Sequence, residues 1–317
     1  MREPTAHDTR AHTTAARSPR QRLLASVPVT EHRLRLAGMS TAVLDGGQGP
    51  PVVLLHGPGE SAANWGRVVP ELVTTHRVVA PDLPAHGATD APEGPDLAEQ
   101  VLGWLGELLE RTCPSPPVIV GHILGGAIAA RFAIDHADRL AALVLVDSLG
   151  LGRFRPAPSF ALSMIGFLAR PNPRSFDRFM RQCSYDLDGL RTQLGEDWDA
   201  FVAHNLEQAR SPAAKTAGRL FRELGIPALP PEDLERISVP VTLIWGRHDR
   251  ANRLGIAEAA SERYGWPLHV IDASADDPAR DRPEAFVQAL RRSLPGDHRT
   301  EHDPPGAVRR TDGTPHP

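Results

Sequence analysis

Residues 121–126 could present a nucleophile, because they read Gly-His-Ile-Leu-Gly-Gly between a predicted strand and a predicted helix. A sharp strand-to-helix turn written Gly-x-nucleophile-x-Gly exposes the side chain of its central residue. A nucleophile needs a lone pair, and the central residue here is Ile123, which offers only hydrocarbon. The segment therefore predicts the turn of a covalent catalyst without the catalytic atom.

Four further segments occur in an order that one fold family uses. They are His56-Gly57-Pro58-Gly59, Asp82-Leu83-Pro84-Ala85-His86-Gly87, Gly246-Arg247-His248-Asp249 and Arg282-Pro283-Glu284-Ala285-Phe286. With the turn at Ile123 they resemble the α/β-hydrolase family over about residues 30–293. The likeness is greatest to its lid-bearing esterases, carbon–carbon hydrolases and epoxide hydrolases. The resemblance implies Ser, Cys or Asp at the turn and a His–acid pair beside it.

The loop that carries the imidazole base in this family is written Gly-His-x-Pro-x-x-Glu-x-Pro-Glu. Its register in this chain is fixed by Pro278, Asp281, Pro283 and Glu284. The position of the base is therefore occupied by Asp276. His269, seven residues earlier, is predicted to lie within a strand and to be structural. The resemblance thus implies that both the nucleophile and the base are replaced.

Asp249 stands where the family's acid would orient the imidazole, and Asp147 with Ser148 ends another strand where some members carry that acid. If Asp249 and Asp276 face each other, their like charges raise one pKa and the pair shares a proton. Asp249 and Asp276 are therefore the predicted catalytic residues. The alternative is that Asp249 is a structural carboxylate held by backbone donors.

The loops beside Ile123 are expected to surround the substrate. Pro58 stands where a backbone N–H normally binds an oxyanion, and proline has none. Gly59 could supply that N–H if the register differs by one residue, and Leu124 would supply the second. The predicted substrate-binding residues are His56, Gly57, Pro58, His122, Ile123 and Leu124. The three histidines near this edge, His56, His86 and His122, are expected to be structural rather than catalytic.

Nearly continuous apolar runs alternate with segments of helical periodicity along the chain. The runs at 51–56, 77–81, 117–120, 142–146, 241–245 and 268–271 predict parallel strands, and those at 33–36 and 41–44 an antiparallel hairpin. Helices are predicted at 63–73, 97–111, 124–136, 160–169, 175–180, 197–210, 213–224, 254–264 and 283–292. Asp96 and Glu99 are expected to cap the second of these.

These elements predict an α/β fold, with a doubly wound, mostly parallel sheet of about eight strands and a helical lid inserted after strand 6. The lid is expected at about 149–237, within a domain at 26–293. The polar segments 1–25 and 294–317 are predicted to be disordered.

The composition is that of a globular protein, with 41% hydrophobic and 23% charged residues. A net charge of −4 gives no reason to expect nucleic acid as a partner. The N-terminus lacks the apolar run of a signal peptide, and no run is long enough to span a bilayer, so a cytoplasmic location without membrane association is expected. Two distant cysteines do not suggest a metal site, and neither a metal nor a cofactor is expected.

Three functions are compatible with these residues. The first is a non-hydrolytic acid/base enzyme, such as an epimerase, isomerase or cyclase, acting on a small molecule or peptide. Proton transfer at an acidic C–H needs no nucleophile. The second is an inactive small-molecule binding protein or pathway chaperone. The third is a hydrolase in which an aspartate activates water. The sequence indicates neither the substrate nor the oligomeric state.

Overall fold

The computed structural model describes residues 17–294, and a single eight-stranded sheet runs through them in the order β1-β2-β4-β3-β5-β6-β7-β8. The strands are β1 (Thr30–Leu36), β2 (Met39–Gly46), β3 (Pro51–Leu55), β4 (Arg77–Pro81), β5 (Val118–His122), β6 (Ala142–Val146), β7 (Val241–Gly246) and β8 (Leu268–Ile271). β1 and β2 form an antiparallel hairpin at one edge, and β3 to β8 are parallel. The predicted sheet is confirmed.

Helices connect the strands and cover the sheet. The α-helices are α1 (Pro19–Leu23), α2 (Val69–Leu72), α3 (Leu97–Thr112), α4 (Leu124–His136), α5 (Pro158–Ala169), α6 (Pro173–Cys183), α7 (Leu187–Leu194), α8 (Asp197–Arg210), α9 (Ala214–Leu220), α10 (Pro231–Glu235), α11 (Leu254–Tyr264), α12 (Pro278–Asp281) and α13 (Pro283–Ser293). Short 3-10 helices occupy Ala62–Arg67 and Ala137–Arg139, and a π-helical turn occupies Phe221–Gly225. Among the described helices no candidate is both long and apolar enough to cross a membrane.

Two hydrophobic cores lie on opposite faces of the sheet, because successive side chains of a strand point to opposite sides. Val53 and Leu55 of β3 belong to one core, whereas Val52 and Leu54 belong to the other. Burial on both faces explains why the parallel strands are apolar throughout. The carboxyl ends of β3 to β8 meet at one edge, and the loops that leave this edge carry every motif identified in the sequence.

The chain between β6 and β7 forms six helices, α5 to α10, which we call the helical insertion. Its helices pack around a small core of their own that includes Phe160, Phe167, Phe176 and Phe201. The insertion is tied to the sheet domain by hydrogen bonds such as that from the Ala157 amide to the Arg250 carbonyl, 2.8 Å.

Two predictions about local structure are wrong. α1 lies inside the segment predicted to be disordered, where Ser18 caps it and the Arg20 guanidinium lies 3.1 Å from the Asp82 carboxylate. The rest of the two predicted tails, 1–16 and 295–317, lies outside the described residues. Asp96 precedes α3 but its side chain makes no capping hydrogen bond, because its backbone adopts φ −89° and ψ 59° rather than the extended conformation that capping residues prefer.

Candidate active site

The turn between β5 and α4 keeps a strained backbone at Ile123, with φ 46° and ψ −100°. Residues with side chains rarely adopt positive φ, and a β-branched residue there costs on the order of 1–3 kcal/mol. The surrounding glycines let the turn form, since a Cβ on Gly125 would lie 2.4 Å from the Leu55 carbonyl oxygen. The Ile123 amide donates to the Val146 carbonyl at 3.0 Å. The turn is therefore locked in place although it presents hydrocarbon.

A cavity of about 200 Å³ lies between this turn and the helical insertion. Its walls include six phenylalanines and two methionines, so they are mainly apolar. The Ile123 side chain is 9% exposed and packs with Ala127 and Leu149. The polar lining residues are Glu60, His86, Cys183, Asn205, Gln208, Asn252, Asp276 and Arg280. Such a cavity suits a small, mostly apolar molecule held by a few polar contacts.

Asp276 lines this cavity and is 5% exposed. Burial raises the pKa of its carboxyl well above the usual value, and the nearby Asp249 acts in the same direction, while Arg280 opposes both. Burial therefore favours the protonated form of the Asp276 carboxyl. The Cys183 thiol beside it is also buried, which raises its pKa well above 9.0 and makes it a poor nucleophile.

Arg280 lies at the centre of a buried network of charges. Its Nη1 atom is 2.9 Å from the Asp277 carboxylate and 3.7 Å from that of Glu60, and its Nη2 atom is 3.5 Å from Asp276. The His122 Nδ1 atom lies 3.2 Å from the Glu60 Oε2 atom. Glu60, His122 and Asp277 could offer ligand atoms to a metal ion. The Arg280 guanidinium and the protonated His122 together balance the two carboxylates, and a protonated imidazole has no lone pair for a metal, so this set does not favour a further cation.

His122 is part of that network rather than of the cavity wall. Its Nε2 atom lies 2.7 Å from the Asp276 carbonyl oxygen, which can only accept, and its Nδ1 faces the Glu60 carboxylate. Burial alone would lower the His122 pKa, but Glu60 and Asp277 outweigh it and raise the pKa to about 10. Burial likewise opposes ionisation of Glu60, yet His122 and Arg280 lower its pKa to about 2. Both groups are charged at neutral pH.

Asp249 is buried and is not among the residues that line the cavity, and the carboxyl with which it shares a hydrogen bond is that of Asp147 rather than that of Asp276. Its Oδ1 atom accepts from the Ala251 and Asn252 amides at 2.6 Å and 2.8 Å. The Oδ2 atoms of Asp147 and Asp249 have no donor among the described residues. Burial raises the pKa of both carboxyls, that of Asp249 to about 7, and each carboxyl also affects the pKa of the other. A proton shared between the two carboxyls satisfies both oxygens.

The structure divides the predicted binding residues into two groups. Pro58 and Ile123 line the cavity, whereas His56, Gly57, His122 and Leu124 are not among its lining residues. His56 supports its loop, accepting from the Leu83 amide at 2.9 Å. Sequence reasoning did not single out Glu60 or Arg280. Arg280 could have been found from its position in the sequence. It follows Asp276 by four residues and lies between Asp277 and Asp281, in a segment that the predicted site requires to be buried.

Fold and site together define a member of a known family. A family model described as alpha/beta hydrolase family matches residues 52–289. This is most of the chain, and the protein belongs to the α/β-hydrolase family.

Its relatives include named hydrolases. The pimeloyl-[acyl-carrier protein] methyl ester esterase of Aeromonas hydrophila is 29% identical over 261 residues, 80% of this chain and 98% of the relative. A 2-hydroxymuconate semialdehyde hydrolase of a Pseudomonas species is 36% identical over 68% of this chain and 75% of the relative. The solved structure of a 2-hydroxy-6-oxo-6-phenylhexa-2,4-dienoate hydrolase from a Rhodococcus species superposes with a TM-score of 0.74 at 24% identity, over 84% of this chain and 99% of that one. That structural likeness shows the shared fold.

The strained turn predicts an unusual order of stability for two variants. Ile123→Gly should have a free energy of unfolding higher than Ile123→Ala by about 1 kcal/mol or more, because only glycine adopts the positive φ without strain. Denaturant unfolding measures both. As a control, Ala203→Gly in α8 should lower the free energy of unfolding by about 0.5–1 kcal/mol. An Ile123→Ala protein at least as stable as Ile123→Gly would show that the turn is relaxed.

The three raised carboxyl pKa values predict a contribution to stability that falls as pH rises from about 4 to about 7, and His56, His86 and His204, whose pKa values are lowered by burial, oppose it over much of the same range. In this window the folded protein holds protons on Asp249, Asp147 and Asp276 that the unfolded chain releases, so each costs up to about 1.4 kcal/mol per pH unit. Asp249→Asn removes at least one of these protons, so relative to wild type its free energy of unfolding should rise by about 1.4 kcal/mol or more per pH unit across this window. The control is Asp272→Asn, at an exposed position. Equal slopes in Asp249→Asn and wild type would contradict the assignment.

Proposed function

We propose that this protein is a non-hydrolytic acid/base enzyme in which Asp276 exchanges a proton with a small, mostly apolar substrate. The observation that carries the proposal is the buried carboxyl of Asp276, whose pKa is raised, at the wall of a cavity whose turn presents Ile123. Asp276 can give its proton to the carbonyl oxygen of a substrate and, as the carboxylate that this leaves, take the proton of the adjacent C–H, so that an enol forms and the carboxyl is protonated again; the reverse steps return a proton to carbon. Epimerisation, isomerisation and cyclisation use such steps.

The neighbouring charges support this role for Asp276. Arg280 and His122 provide two positive charges, which Glu60 and Asp277 compensate. Asp276 is therefore the additional carboxyl, and ionising it would leave an uncompensated negative charge in a buried site. The nearby Asp147–Asp249 pair holds one further proton, shared between its two carboxyls.

The names of the relatives favour hydrolysis, but the residues of this site do not. Covalent hydrolysis needs a nucleophile at position 123, and activation of water needs an ionised carboxylate facing the cavity. Asp276 retains its proton, and Glu60 is engaged by the Gly57 amide, His122 and Arg280. Proton transfer uses the groups as they stand.

A binding protein is the second candidate, and the walls of the cavity favour it. Ile123 packs with Leu149 and lies against Phe154 and Phe221. The position at which the family carries its nucleophile is therefore part of an apolar wall. Saturable binding of a small molecule without any chemical change would be its signature.

Deuterium exchange tests the first candidate. Apolar ketones and acyl compounds with an acidic C–H are incubated with the protein in deuterated buffer and analysed by mass spectrometry. We expect enzyme-dependent incorporation, reduced about 10²- to 10⁴-fold in Asp276→Asn, which keeps the shape but not the acid. Asp272→Asn should exchange as wild type does. Exchange that is unaffected in Asp276→Asn would exclude the role of Asp276, and binding without exchange would favour the second candidate.

A serine placed at the turn should not create an esterase. Ile123→Ser supplies a hydroxyl, but the position of the base is Asp276, whose protonated carboxyl cannot accept the hydroxyl proton. We expect hydrolysis of p-nitrophenyl butyrate at the rate of the wild-type protein, measured by release of p-nitrophenol. An Ile123→Ser protein with clear esterase activity would show that another residue serves as the base.

A further inference from the structure

His86 lines the cavity with one imidazole nitrogen engaged and the other without a partner. It lies in the loop after β4 and is 3% exposed. Its Nδ1 atom is 2.9 Å from the Pro84 carbonyl oxygen, which can only accept, so Nδ1 carries the hydrogen. Burial and the neighbouring His56 lower the His86 pKa to about 4. At neutral pH the ring is uncharged, and Nε2 holds a lone pair.

That lone pair has no donor among the described residues, although the Nε2 atom is buried. A buried acceptor left without a hydrogen bond costs about 1–3 kcal/mol. The adjacent His56, with its ring centre 5.3 Å away, differs because both of its nitrogens are used. Its Nδ1 contacts the Gly57 carbonyl and its Nε2 accepts from the Leu83 amide. The loop is therefore held without the Nε2 atom of His86.

The helical insertion brings further polar groups to this part of the cavity. The Gln208 side-chain oxygen accepts from the Gly87 amide at 2.9 Å, which fixes α8 beside the His86 loop. Asn205, three residues earlier on α8, lines the cavity together with Gln208 and His86. Neither amide satisfies Nε2. Because His86 lines the cavity, a molecule bound there is the candidate donor.

We propose that His86 Nε2 is the hydrogen-bond acceptor for the ligand of this cavity, and that this ligand is an apolar molecule carrying a hydroxyl or N–H group. β4 and β8 lie on opposite sides of β5 in the sheet, so His86 and Asp276 approach the cavity from loops on either side of the Ile123 turn. The ligand thus has a donor for His86 and, where the proposed function holds, a carbonyl for Asp276. Recognition by His86 requires no reaction.

A pair of non-reacting probes tests the inference by isothermal titration calorimetry. 4-Hexylphenol has a donor that its methyl ether, 4-hexylanisole, lacks. Wild-type protein should bind the phenol about tenfold more tightly. His86→Asn keeps an N–H near the Nδ1 position but has no acceptor at Nε2, and it should bind the two probes equally. His269→Asn, a histidine outside the cavity wall, should retain the wild-type preference.

A measurement on the wild-type protein removes the dependence on a variant that folds. The ¹⁵N chemical shift of His86 Nε2 should move when 4-hexylphenol is added and stay in place with 4-hexylanisole. Equal affinity for the two probes in wild type, no binding of either, or an unchanged preference in a folded His86→Asn protein would overturn the inference. Because neither probe reacts, a failure of proton exchange at Asp276 leaves this result unaffected.

Discussion

The guanidinium of Arg280 holds together the loops on which this site depends. It contacts the Asp277 carboxylate, reaches Glu60 in the loop after β3, and donates to the Cys183 carbonyl of the helical insertion at 3.2 Å. A buried cation is tolerated only when it is paired and hydrogen-bonded. Burial would lower the Arg280 pKa, but acidic neighbours, Asp277 first and also Glu60, outweigh it and raise the pKa. Arg280 therefore links the sheet edge, the cavity wall and the helical insertion.

The replacement of the family's nucleophile is part of a wider change. Ile123 occupies a turn whose backbone remains strained, and Asp276 occupies the place of the imidazole. In the proposed function the carboxyl of Asp276 keeps its proton, because the charges of Arg280 and His122 are already compensated. The proposed acid/base chemistry and the alternative of specific binding both use the groups present, whereas acyl transfer to the turn lacks its nucleophile.

The sequence predicted the features that depend on local pattern. Continuous apolar runs gave the parallel strands, and α4, α8 and α11 begin and end at the predicted residues. The pairing of Asp249 with Asp147 was not predicted, because it depends on how the ends of β6 and β7 meet. The same holds for Arg280, whose partners come from separate loops. α1 was missed because its five residues contain no buried side chain and owe their order to Ser18 and to the Arg20–Asp82 ion pair.

The protonation of Asp276 is the point on which the account rests, and infrared spectroscopy observes it directly. A difference spectrum between wild-type protein and Asp276→Asn at pH 7 isolates the signal of this carboxyl. We expect the variant to lose a C=O stretching band of a protonated carboxylic acid. Loss of a carboxylate band instead would mean that Asp276 is ionised beside Arg280, which would contradict its role as an acid.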